Sequence, residues 1–135
     1  MNTQSFSIDF RSGIPAYVQI VEQVQALIAR GDLVPGDQLP TVRQLASELR
    51  VNFNTIARAY RLLDEAGLIS TQQGRGTYIL DRIDGERSEL LKTRSLEDQI
   101  ESFIASLKQQ GYQPEDVALH VNRVIESWQT VNPDH

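Results

Sequence analysis

Residues 39–80 read LPTVRQLASELRVNFNTIARAYRLLDEAGLISTQQGRGTYIL. Pro40 disfavours a helical backbone at Leu39, so the preceding segment stops there. Thr41 offers a hydroxyl as N-cap and Gln44 stands three residues on, the spacing of a capping box. Val42, Leu45, Ala46 and Leu49 then recur at helical spacing and leave Arg43 on the open side. Arg50-Val51-Asn52-Phe53 reads as a turn. Asn52 and Asn54 are both candidate caps for a second helix, whose apolar stripe is Ile56, Ala59, Tyr60 and Leu63. Asn54, Thr55, Arg58 and Arg61 fall on the opposite side. Gly67 is placed to end this helix in a left-handed conformation.

Two short strands follow, 68–72 and 77–80, joined by Gln73-Gly74-Arg75-Gly76. Glycine at two of these four positions permits positive φ and a close approach of backbone to a phosphate, with Arg75 at the tip. A capped pair of short helices running into a Gly-punctuated hairpin is the layout of a winged helix-turn-helix, which lays its second helix in the major groove of DNA.

On the N-terminal side, residues 5–10 alternate polar and apolar and read as a short strand able to pair with the wing. Pro15 suits the first turn of a helix, with an apolar face of Tyr17, Ile20, Val21, Val24, Leu27 and Ile28 and a stop at Gly31. Residues 34–37 form a turn. On the C-terminal side, residues 81–94 are charged and lack a clear period, so they read as a connector holding at most a short helix. Ser95 is placed to cap a helix with the stripe Leu96, Ile100, Phe103, Ile104 and Leu107, stopped by Gly111. Pro114 opens a second, with the stripe Val117, Val121, Val124, Ile125 and Trp128. Two such helices cannot bury both stripes alone, and must pack on the winged domain, on a second copy, or on both. The expected organisation is a winged helix-turn-helix domain over 1–80, a connector over 81–94 and a helical extension over 95–135. The fold class is mainly α with a small β wing.

The formal net charge of −5 runs against simple electrostatic attraction to DNA, so its distribution matters. Residues 1–80 hold seven Arg and seven acids, whereas 41–80 hold five Arg and three acids. The acid excess therefore lies outside the helix-turn-helix and wing. Every base before residue 92 is Arg, the side chain suited to bidentate contacts with guanine or phosphate. There is no cysteine, which excludes a disulfide framework and thiolate metal sites. No stretch approaches bilayer-spanning length, and the N-terminus has neither a basic nor an apolar leader, so a cytoplasmic setting with no membrane partner is expected.

These residues resemble the DNA-binding domain of the GntR family of bacterial transcription regulators. The likeness runs through Leu39-Pro40-Thr41 with Arg43 and Leu45-Ala46, then Val51 with Thr55-Ile56, then Gly67-Leu68-Ile69, then Gly74-Arg75-Gly76-Thr77-Tyr78-Ile79. It extends to Pro15-Ala16-Tyr17-Val18-Gln19-Ile20 and covers about residues 5–80. Asn52-Phe53-Asn54-Thr55 followed by Arg58-Ala59-Tyr60 is similar to the YtrA-type branch, which carries only a short two-helix tail used for dimerisation. The resemblance implies a homodimeric regulator of double-stranded DNA, a repressor of a transporter operon acting at a near-palindromic operator. It implies DNA contacts at Arg43, at Asn52, Phe53, Asn54, Thr55 and Arg58, and at the wing residues Gln73, Gly74, Arg75 and Gly76. It implies dimerisation through Leu96, Ile100, Phe103, Ile104, Leu107, Val117, Val121, Val124 and Trp128. Phe53 stands where many relatives carry Arg, and is either a contact to a thymine methyl or only a brace for the turn; Ala57 stands where some relatives place a contacting Arg, so base preference does not transfer. No cofactor or metal is implied, and no small-molecule effector is identified.

Plainer readings compete at several positions. Arg61 lies four residues before Glu65, the spacing of a helical ion pair. Asn54 is either a base reader or only a cap. His120 has no other internal histidine to join it in a metal site, and sits at the edge of a helix stripe. Phe103 and Trp128, spaced with aliphatics, read as interface core rather than pocket lining. A winged-helix module that binds protein and no DNA is the alternative function. An enzyme has no support, because no nucleophile–base set exists.

Overall fold

The computed structural model describes residues 6–72 and 75–131. It falls into two compact units, Met1–Ser95 and Leu96–His135. In the first, α1 (Ala16–Arg30) is followed by a two-residue strand β1 (Gln38–Leu39), then α2 (Val42–Leu49) and α3 (Phe53–Glu65). The hairpin β2 (Ile69–Gln72) and β3 (Gly76–Ile79) comes next, then α4 (Gly85–Gln109) and α5 (Pro114–Val131).

α1, α2 and α3 enclose a core in which Ile20, Val24, Leu45, Ile56, Ala59 and Leu63 have no exposed surface. Each large aliphatic side chain buried there contributes about 1.5–3 kcal/mol. The helix ends are set locally. Gly31 (φ +83) closes α1, with the Asp32 and Leu33 amides donating to the Leu27 carbonyl at 2.9 and 3.1 Å. Thr41 and Gln44 form the reciprocal capping box of α2: the Gln44 amide donates to Thr41 Oγ1 at 3.0 Å, and the Thr41 amide to Gln44 Oε1 at 2.9 Å. Gly67 (φ +77) ends α3, with the Leu68 amide donating to the Leu63 carbonyl at 3.0 Å.

The sheet is antiparallel in the order β1-β3-β2. Its third strand is not the one expected. Residues 6–9 form no strand; their backbone is instead engaged by two glutamines of α1. The Ser7 amide donates to Gln23 Oε1 (3.1 Å) and Gln23 Nε2 donates to the Ser7 carbonyl (2.6 Å). Gln19 repeats this at Asp9, accepting from its amide (2.8 Å) and donating to its carbonyl (3.0 Å). One helical turn, about 5.4 Å, nearly matches the two-residue repeat of an extended chain, about 6.6 Å, so side-chain amides four apart can imitate a neighbouring strand. The alternation does govern burial: Phe6 is buried and Ile8 packs on the core. The place beside β3 is taken by Gln38–Leu39, delivered by the turn at 34–37, where the Asp37 carboxylate accepts from the Val34 amide at 2.9 Å.

The segment expected to be a connector, 81–94, is largely helical. Asp84 caps α4 by accepting from the Arg87 amide at 2.8 Å, and Ser95 is a buried interior residue of that helix rather than its cap. Periodicity hides this turn because Leu91 is its one fully buried anchor. The helix start is instead held by charge: Arg87 pairs with Asp84 at 3.2 Å and Asp81 at 3.0 Å.

In the second unit, Gly111 (φ +91) turns the chain, with the Tyr112 amide donating to the Leu107 carbonyl at 3.2 Å. Pro114 opens α5, its missing N–H harmless in a first turn. Leu107, Val117 and Val121 are half-buried. The rest of both stripes is exposed: Leu96, Ile100, Phe103 and Ile104 on α4, and Val124, Ile125 and Trp128 on α5.

Candidate nucleic-acid interface

The turn between α2 and α3 fixes where α3 starts. Arg50 sits in the left-handed region (φ +57), and the Val51 amide reaches back to the Ala46 carbonyl at 3.1 Å. Asn52 then caps α3, its Oδ1 accepting from the Asn54 amide at 2.7 Å. The side-chain cap is therefore Asn52. The Asn52 carboxamide is engaged at its oxygen, whereas Asn54, in the first turn, keeps an exposed side chain. Phe53 is the first helical residue and half its surface is open. Thr55 is half-buried.

Arg43 is exposed on α2. Arg58 is half-buried, its guanidinium 4.0 Å above the centroid of the Tyr17 ring on α1. Arg61 lies 4.0 Å from Glu65, the helical pair its spacing offered. Tyr60 pins α3 to the entrance of α2 by donating its hydroxyl to the Pro40 carbonyl at 2.7 Å. Burial, with the Glu48 carboxylate adding to it, pushes this phenol well above its usual pKa, so it stays a donor throughout the physiological range.

The wing is tied at its tip. The Arg75 carbonyl accepts from the Tyr78 hydroxyl at 2.7 Å and from Gln38 Nε2 at 3.5 Å. Gly76 adopts φ +107, and a Cβ there would stand 2.5 Å from Gln38 Nε2. Arg75 is exposed; Gln73 and Gly74 lie outside the described residues. The sequence reading named the tip and missed both residues that hold it, along with Tyr17 beneath Arg58. Gln38 and Tyr17 carry no local signal, because their partners are remote in the chain, whereas Tyr78 stands only three residues from Arg75.

Asn52, Phe53, Asn54 and Thr55 thus stand together at the N-terminus of α3, where unsatisfied amides and the helix dipole favour phosphate. Among the described residues no cluster of His, Asp or Glu is arranged to hold a metal ion, and no helix is long and apolar enough to cross a membrane.

The family described as "Bacterial regulatory proteins, gntR family" matches residues 16–79. The HTH-type transcriptional repressor YtrA of Bacillus subtilis (strain 168) is 42% identical over 102 residues, covering 76% of this chain and 72% of its own length. Among solved structures, YtrA from Sulfolobus acidocaldarius, a GntR-family transcription factor, is 32% identical with a TM-score of 0.51, over 89% of this chain and 96% of that one. The DNA-binding domain of AraR in complex with operator ORX1 is 27% identical with a TM-score of 0.51, over 55% of this chain and 94% of that one. The chain therefore belongs to the GntR family, as a YtrA-type winged-helix regulator that binds DNA and not as an enzyme.

Proposed function

We propose that the chain is a homodimeric repressor that binds a near-palindromic operator. The observation that carries the dimer is the exposed apolar surface of α4 and α5, where Phe103 is 53% and Trp128 66% exposed. A contiguous apolar surface of this kind marks an interface, and for identical chains the ordinary solution is a two-fold dimer. Leu96, Ile100, Phe103, Ile104 and Leu107 of α4 meet the partner together with Val117, Val121, Val124 and Trp128 of α5. The name of the Bacillus subtilis relative, a repressor, supports repression as the output.

On DNA, each protomer sets the start of α3 in a major groove. Asn54 and Thr55 face base edges, Asn52 and Phe53 flank them, and Arg43 and Arg58 reach backbone or base. Gln73, Gly74, Arg75 and Gly76 follow the adjacent backbone. Two-fold symmetry then requires half-sites separated by whole helical turns, about 34 Å each. The protein works in the cytoplasm, and the family pattern points to a transporter operon.

Selection of bound duplexes from a random pool tests this directly. The expected product is an inverted repeat bound by two protomers. A single unrepeated site bound by one protomer defeats the dimer, and no enrichment defeats the sequence-specific reading. Sedimentation of Phe103→Glu gives the companion result: a monomer with weakened operator binding is expected, and a mutant that remains dimeric removes α4 from the seam.

A further inference from the structure

We propose that Phe53, the first residue of α3, is a specificity-determining residue that reads thymine in the operator half-site by its C5-methyl group. The inference rests on the reading above that the start of α3 enters a major groove. Its basis is an apolar strip at that helix start. Phe53 is 50% exposed, and Ala57, four residues on, is half-buried. Residues four apart are neighbours on one side of a helix. Ala57 opens with Arg61 onto a surface depression that Val42, the first residue of α2, and Thr71, in β2, also line. That side of α3 therefore looks out between α2, which carries Arg43, and the hairpin, which carries Arg75. These are the two arginines proposed to hold the backbone, so a base-pair edge comes to lie against the strip between them.

What the strip recognises follows from what it lacks. A phenyl ring and a methyl group carry no hydrogen-bond donor and no acceptor. The major groove presents hydrogen-bonding groups at every base pair and one apolar group, the C5-methyl of thymine. A guanine–cytosine edge pressed against Phe53 loses water and gains no partner. A thymine methyl in the same place is itself removed from water together with part of the ring. The strip thus favours thymine by contact and disfavours its competitors by desolvation. Asn54 stands beside it with an exposed carboxamide, so a polar and an apolar reader share the opening turn of α3.

A ring that only braces the turn makes a different prediction. Its loss changes stability and affinity, but the response of the protein to one DNA methyl group stays the same.

The test uses the full chain and the selected operator, with binding read by fluorescence anisotropy and folded fraction by circular dichroism. Each thymine of the half-site is replaced in turn by deoxyuridine, which removes the methyl and keeps the pairing. The wild-type protein is expected to show a thymine whose replacement weakens binding about fourfold for each half-site, the factor for burying one methyl group. Phe53→Ala is expected to bind the thymine operator more weakly and to lose that factor, its affinities for the two duplexes agreeing within about twofold. An effect of uracil on duplex shape alone persists in the mutant. No methyl-sensitive thymine in the wild type, or the same fourfold factor in Phe53→Ala, overturns the proposal and leaves sequence-specific binding by α3 intact. Failure to select any operator removes instead the reading on which it rests, and the proposal with it. If Phe53→Ala does not fold, Phe53→Gln decides by the same ratio.

Discussion

At position 52 an asparagine makes a bond that leaves its neighbour two residues on unencumbered. Because Asn52 Oδ1 takes the Asn54 amide, the capping role of Asn52 can be measured apart from the recognition role proposed for Asn54. Asn52→Ala is expected to destabilise the fold by about 1 kcal/mol in urea unfolding. Asn54→Ala is expected to leave that midpoint unchanged and to weaken the operator by about 1–3 kcal/mol in a binding titration. Equal stability losses at both positions would return Asn54 to a capping role. Arg50 poses the opposite question, since φ +57 is a conformation L-residues avoid. Relief of about 1–2 kcal/mol in Arg50→Gly is offset by the greater unfolded-state freedom of glycine, about 0.5–1 kcal/mol. A net gain of about 0.5–1 kcal/mol in thermal unfolding is expected.

The wing shows how an element depends on one backbone position. Gly76 combines φ +107 with a neighbour, Gln38, that a Cβ would strike. Gly76→Ala is expected to cost about 1–3 kcal/mol. Adding Gln38→Ala removes the collision but not the dihedral, so most of the loss should remain in denaturant unfolding; full recovery would show that crowding alone was at fault. The helix-turn-helix and hairpin were legible in the sequence because their signals are local: a capping box at Thr41, an asparagine cap, a glycine stop at Gly67. What was illegible depends on distance. β1 is two residues long and owes its existence to β3, nearly forty positions away. Residues 6–9 advertise a strand, yet the amides of Gln19 and Gln23 reach them first. The opening of α4 shows no stripe, because Asp84 and Arg87 hold it by a cap and charge pairs instead. In the candidate site the exposed positions were readable, whereas the Tyr17–Arg58 stack joins two helices that no local pattern relates.

For the whole molecule, a net charge of −5 supplies no overall field that attracts DNA, so the proposed interface leans on a few placed arginines. In a two-fold assembly every one of them acts twice. If Arg43 and Arg75 each neutralise a phosphate in both protomers, the log–log dependence of operator affinity on salt has a slope near −4. Arg43→Ala should then flatten it by about 2, not about 1. A change of about 1 would mean that only one protomer engages at a time. Finally, Trp128 is the single tryptophan of the chain, and it stands 66% open on the α5 surface. If the proposed dimer covers α5, the indole emission becomes a one-site optical gauge: blue-shifted where two protomers shield it and red-shifted as dilution parts them, with no second fluorophore of its kind to blur the reading.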